Sequence, residues 1–125
     1  MTAAHAFQHI VQTACRHFRR NEDLLLAGTQ PAALHQAHVA LCRLRSAFSI
    51  FETLLVDDVS AGLNDELRWL ATELGEARNF DVPIQRAPPG ELHNRLVPVH
   101  QFAYARIYEV LASARVRRLI LNLAQ

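Results

Sequence analysis

Lysine is absent from this 125-residue chain, and all thirteen of its cationic side chains are arginine. Cysteine, glycine and tryptophan are also scarce, at two, four and one residues, and no apolar run is long enough for a membrane span. Each shortage removes a class of function. There is no Gly-rich phosphate loop, no CxxC pair and no dinucleotide fingerprint, so the usual sequence devices for nucleotide binding and dithiol chemistry are missing. The two cysteines, Cys15 and Cys42, fall within helical patterns and are expected as thiols in a reducing compartment. The opening MTAAHAFQHIVQTACRHFRR places its arginines after its apolar positions and shows no cleavage pattern. No signal peptide is therefore expected, and the cytoplasm is the expected location.

Half of the residues are apolar, enough for one modest core and thus for a single domain over residues 1–125. The formal charge of +1 conceals an uneven distribution. Residues 1–56 carry five Arg against three acids, residues 57–81 two Arg against seven acids, and residues 82–125 six Arg against two acids. Arginine's planar fork suits phosphate oxygens, but a GC-rich codon habit also replaces Lys by Arg. Composition does not separate the two explanations.

The patterning is helical throughout. Residues 34–55 read as one long central helix, with an apolar seam at Leu34, Ala37, Leu41, Leu44, Phe48, Phe51 and Leu55. At about 100° per residue, His35, His38, Cys42, Arg45 and Ser49 form a second stripe within a sector of about 80° beside that seam, while Arg43 points elsewhere. A first helix is expected from Ala3 or Ala4 to Leu26, ended by Gly28, with Pro31 opening the next; so short a corner makes the two antiparallel neighbours. A third is expected over Leu63–Ala77, after a break with Ser60 as a possible cap, and Trp69 closes the core edge. Asn79–Arg86 reads as a short turn capped by Asn79, and residues 87–90 as an internal linker. A fourth helix covers Leu92–Leu111, with Pro98 as a kink or a later start. The last covers residues 114–124, with Arg115, Arg117 and Arg118 in its first turns, where they oppose the helix dipole. These arginines point to an anionic partner or to solubility, and the apolar face of this helix needs a partner surface. The expectation is an all-α, antiparallel bundle of about four to five helices.

Several chemistries can be weighed on these residues. His5 and His9, His38 and Cys42, and His35 and His38 have spacings that let two ligands face one point, but no H-E-x-x-H occurs and a third ligand must come from another helix. Half-buried His and Cys at a core edge need no metal, so no metal or cofactor is expected. Cys42 and His38 share a helix without the strand-turn-helix setting that exposes a nucleophile. The acidic pairs Asp57/Asp58, Asp65/Glu66 and Glu73/Glu76 read as the solvated side of a helix pair. No enzymatic activity is expected. Anion binding is the more physical reading, because antiparallel packing of the second and third helices brings Arg78 opposite His35, His38 and Cys42 more readily than opposite Arg45. Asp81, one turn beyond Arg78, would pair with Arg78 or fix His35. Nucleic acid is disfavoured by the acidic middle segment and by the lack of an aromatic-basic platform.

Two segments resemble the CHAD family, the conserved histidine α-helical domain. In NEDLLLAGTQPAALHQAHVALCRLRSAFSIF, residues His35, Val39, Arg43, Leu44 and Arg45 fit the family pattern H-x-x-R-V-x-x-R-R-L-R. In LRWLATELGEARNFDV, residues Trp69, Leu74, Gly75, Arg78 and Asp81 fit a second signature, and YARIYEVLASARVRRLI is a weaker third match. The resemblance implies an all-helical domain that binds inorganic polyphosphate, in some members at polyphosphate granules. It implies phosphate contacts at His35, Arg43, Arg45 and Arg78, with His38 and Asp81 as auxiliary or orienting residues. Where the pattern has arginine, this chain has His38 and Cys42, which removes two fixed charges and implies weakened binding. The family's second His-and-Arg helix has no counterpart before Gln125, so the resemblance is read as confined to the N-terminal half of the domain. Pairing two copies into a homodimer would then cover the last helix and rebuild a two-bundle arrangement.

Overall fold

The helical periodicity of the sequence is realised almost without interruption. The structure, a computed structural model, describes residues 2–28, 30–51 and 58–123, and among these every regular element is a helix. In order they are α1 (Ala3–Ala27), α2 (Pro31–Ile50), α3 (Asp58–Arg78), α4 (Asp81–Arg86), α5 (Glu91–Ala112) and α6 (Ala114–Leu123). The expected four to five helices are thus six among the described residues, because the turn after Arg78 forms the six-residue helix α4.

Local chemistry explains most boundaries. Thr2 caps α1, its hydroxyl accepting from the His5 N–H at 3.1 Å. At the other end Gly28 donates to the Leu25 carbonyl, and the Gln30 side chain donates to the Leu24 carbonyl at 3.2 Å, tying down the corner. Pro31 then occupies the first turn of α2, where its missing N–H costs nothing. α2 stops at Ile50 with Phe51 in a turn; the expected continuation to Leu55 falls on residues 52–57, outside the described residues. α3 begins earlier than expected, so Ser60 and Gly62 lie inside it and Ser60 is no cap. Phe80, not Asn79, precedes α4, and Pro83 sits in that helix's first turn. Gly90, at φ 153°, makes the entry to α5 in a conformation that L side chains rarely adopt. Pro98 lies inside α5, which already starts at Glu91. Ser113 ends α5 by donating to the Val110 carbonyl at 2.6 Å and accepts from the Val116 N–H at 3.3 Å, which opens α6.

α2 is the centre of the packing. It lies most extensively against α1 and next against α3, and its buried side is unusually small: Ala33, Ala37, Ala40 and Ala47 alternate with Leu34, Leu41, Leu44 and Phe48. Alanines let neighbouring helices approach closely, while the larger residues meet Phe18 and Leu25 of α1 and Leu67, Leu70 and Leu74 of α3 in one core. Phe7 of α1 packs edge-on against Phe48 with ring centroids 5.2 Å apart. The far side of the core is closed by Tyr104, Ile107 and Leu111 of α5 and by Val116, Leu119 and Leu123 of α6. The apolar face of α6, expected to need a partner surface, is therefore buried within its own chain, against α3, α5 and α1.

The uneven charge distribution has an internal resolution. Arg115 of α6 grips Glu66 of α3 with two hydrogen bonds of 2.7 and 2.9 Å, and its guanidinium lies 3.7 Å from the centre of the Trp69 ring. That bond holds the Glu66 carboxyl below the usual range. Arg106 of α5 pairs with Glu73 of α3, both contacts at 3.3 Å. The basic C-terminal segment thus neutralises part of the acidic middle one, and Arg115 has a structural partner where an external anion was expected. Trp69 is the chain's one tryptophan, so its fluorescence reports this stack. Arg115→Ala is expected to shift Trp69 emission to longer wavelength while changing the denaturation midpoint little, since exposed ion pairs contribute weakly. A loss of stability on the scale of a core truncation, or an unchanged spectrum, would contradict the packing described.

Candidate functional site

The polar stripe of α2 faces a matching stripe on α3. His35, His38, Cys42, Arg45 and Ser49 recur at intervals of three and four, and so do Asn64, Arg68, Ala71, Gly75 and Arg78. Because the helices run antiparallel, the two series meet in mirrored order. His38 lies over Gly75: a Cβ built on that glycine would stand 3.3 Å from His38 Nε2. Lower down, Cys42, Arg45, Ser46 and Ser49 of α2 share with Asn64 and Arg68 of α3 an open groove of about 380 Å³. No acid lines it. α2 carries no Asp or Glu at all, and Glu66 and Glu73 of α3 turn to α6 and α5.

His38 lies beyond the Cys42 end of this groove, over Gly75 and among cations of both helices. Burial, together with the neighbouring charges of Arg78, His35 and Arg45, holds its pKa below the ordinary value of 6.5, against a hydrogen bond to the Ala71 backbone that favours the charged ring. With one ring N–H given to the Ala71 carbonyl, Nδ1 is left to accept weakly from the Cys42 thiol, 3.9 Å away. The ring is therefore neutral at pH 7 and sits in the combined field of nearby cations. His35 keeps a buried Nδ1 that has no hydrogen-bond partner, a rare condition for a buried polar atom.

The structure separates two expected site residues from this cluster. Arg43 projects from the other side of α2 into a larger and mainly apolar groove between α1 and α2, of about 480 Å³, lined also by His9, Ile10, Val39 and Ile50. Asp81 does not turn to Arg78 or His35. It is buried, with 4% of its surface exposed, and accepts hydrogen bonds from Tyr104 at 2.9 and 3.0 Å and from His100 Nε2 at 2.8 Å. Burial and then the bond to Asp81 push the Tyr104 phenol well above its usual range, so it stays a donor. Asp81 consequently anchors α4 to α5 and fixes the chain just beyond Arg78. Among the described residues no group of three or more His, Cys, Asp or Glu side chains is placed to hold a metal ion. No helix among them is long and apolar enough to cross a membrane.

The scaffold that carries this groove is shared with known proteins. A family model described as CHAD domain matches residues 9–125. The chain belongs to the CHAD family. The crystal structure of the CHAD domain from the plant Ricinus communis is similar to it at a TM-score of 0.87 and 32% identity, covering 98% of this chain and 44% of the plant chain. A comparison with curated protein sequences gave no match. The reading of the resemblance as confined to the N-terminal half of a CHAD domain is thereby corrected, for the fold as for the family. The match extends through α5 and α6 to residue 125. The chain spans a little under half the length of the plant chain it matches.

Within this CHAD bundle, Arg68 and Asn64 are the groove residues that sequence reading passed over. The signal was present: laying α3 antiparallel to the α2 stripe places both residues opposite Arg45 and Ser49. Arg68 sits next to Trp69, and that neighbour drew attention to the core edge instead.

The lowered pKa of His38 has a consequence for stability. The unfolded chain takes up a proton at this position more readily than the folded one, so the contribution is complete above the ordinary histidine value and is lost as pH falls from there toward the folded pKa. Denaturant unfolding followed from neutral to mildly acidic pH is expected to show a steeper loss of stability in the wild type than in His38→Gln. Equal slopes would contradict the lowering of the His38 pKa by burial and the neighbouring cations.

Proposed function

We propose that this CHAD-family chain binds inorganic polyphosphate, or a polyanion of similar chemistry, without catalysing a reaction on it. The observation that supports this reading best is the α2–α3 interface, where Arg45 and Arg68 line an open groove without an acid among the described residues and His38, beyond its Cys42 end, feels Arg78, His35 and Arg45. His35, Arg45 and Arg78 are the proposed phosphate contacts, and His38 is an auxiliary one that becomes charged when an anion offsets the surrounding arginines. Arg43, on the far flank of α2, is proposed to meet a long chain only where it wraps past the groove. Asp81 serves through the position it gives to the Arg78 end of α3. On this reading the protein works where polyphosphate is held, in the cytoplasm or at polyphosphate granules.

Replacing two of the family's arginines by His38 and Cys42 lowers the fixed charge. The reading therefore includes an affinity that is modest and strongly dependent on salt. A second reading, a helical domain that serves association alone, draws on the outer side of α5, where Leu92, Val99 and Phe102 are exposed, Phe102 by 78%. This side, not α6, is where we place a homodimer contact.

Calorimetric titration of long-chain polyphosphate at two salt concentrations separates the readings. Three to four phosphate contacts at about −0.7 each predict a slope of log affinity against log salt of roughly −2 to −3. Absence of binding at low salt would leave the association reading as the better account.

A further inference from the structure

The seam between α1 and α2 opens into a groove because small side chains meet there. Ala14 of α1 and Ala47 of α2 are its floor, each with 3% of its surface exposed. Ile10, Val39 and Ile50 are its walls, and Ile50 leaves 72% of its surface to solvent. On α2 the lining recurs at Val39, Arg43, Ser46 and Ile50, intervals of three and four that keep to one side of the helix. The groove is therefore elongated, running about 18 Å along α2 from Val39 to Phe51 at 1.5 Å per residue. Arg43 is the one arginine among the described lining residues, and none of these is an acid. A volume of about 480 Å³ with apolar walls and a few polar groups gathered at one place is the composition of a small-molecule site between the helices of a bundle.

We infer that the α1–α2 groove binds a single-chain amphiphile with an anionic head, of the class of alkyl carboxylates, its head on Arg43 and its chain along Ala14, Ala47 and Ile50. The inference goes beyond the polyanion reading and does not rest on it. A carboxylate accepts two parallel hydrogen bonds from a guanidinium, and the Ser46 hydroxyl, one turn further along the same side of α2, supplies a third donor. The hydrocarbon covers surface of Ile10 and Ile50 that water otherwise wets. Each part of the lining excludes a different competitor. A compact phosphate gains nothing from the apolar walls, and a cationic chain sets its head against Arg43. The α2–α3 side is built differently, with Arg45 and Arg68 beside Ser46, Ser49 and Asn64 and no comparable aliphatic wall.

Amide NMR titration with hexanoate, octanoate, decanoate and decyltrimethylammonium, each below its micelle concentration, tests this. Decanoate is expected to shift residues 9–14 and 39–51 of the wild type, and affinity is expected to rise roughly two- to four-fold per added methylene across the carboxylates. The cationic amphiphile is expected to bind at least about ten-fold more weakly than decanoate. Arg43→Gln is expected to weaken decanoate by about ten-fold, the loss of one charge-assisted contact, and to bring the anionic and cationic chains within about three-fold of each other. Arg43→Lys should restore part of that preference. Thr13→Trp, which fills the groove from an exposed position on α1, is expected to abolish binding, whereas Arg20→Gln, at an exposed arginine outside the lining, is expected to change nothing. Circular dichroism checks that each variant is folded. Absence of decanoate binding to the wild type, an affinity indifferent to chain length or to the sign of the head, or shifts spread equally over the exposed Leu92, Val99 and Phe102 of α5 would overturn the inference. None of these outcomes bears on polyphosphate binding, which calorimetry reads separately.

Discussion

The chemistry of this bundle depends on where the carboxylates of α3 go. Seven acids fall between residues 57 and 81, and left facing α2 they would cancel the arginines of the groove. Instead Glu66 is taken by Arg115, Glu73 by Arg106, and Asp81 by Tyr104 and His100. Each of these partners belongs to α5 or α6. The C-terminal helices thus do more than close the core: they hold Glu66, Glu73 and Asp81 away from α2. The exposed pairs among these, Arg115 with Glu66 and Arg106 with Glu73, add little stability. Their effect is on the sign of the field in the groove.

Close approach of α2 and α3 is the second requirement, and it is a matter of side-chain size. Gly75 and Ala71 on α3 leave room for the His38 ring to lie on the neighbouring helix. A histidine so placed is buried enough to resist protonation yet close enough to Arg45, Arg78 and His35 to feel each of them. Such a group becomes charged when a nearby anion offsets those cations. On the proposed reading, anion binding beside His38 would carry proton uptake with it, through the same coupling that makes the fold sensitive to acid.

Much of the architecture was legible in the sequence because it is local. Pro31, Gly28, Ser113 and the apolar seam of α2 each announce themselves through backbone chemistry or periodicity, and the first of the helix corners follows from their spacing. What escaped was long-range. Nothing in the sequence around Asp81 reveals that its partners are Tyr104 and His100 on α5, and nothing around Arg115 announces Glu66 and Trp69. These pairings arise from how separate helices dock. Arg43 shows the converse: the helical wheel already pointed it away from the stripe, and the family pattern drew it back, whereas the structure sets it in the α1–α2 groove. The α6 face, read as an exposed interface, is covered by the core because three helices converge on it.

The central claim is that polyanion recognition belongs to the α2–α3 groove and not to the other arginines of the chain. Amide and histidine NMR shifts during titration with linear polyphosphate test it most directly, because every arginine-bearing helix is observed at once. The account predicts that perturbations concentrate on residues 35–49 and 64–78, with the His38 ring among the largest. Perturbations concentrated on Arg16, Arg19 and Arg20 of α1, or on Arg117 and Arg118 of α6, would contradict it.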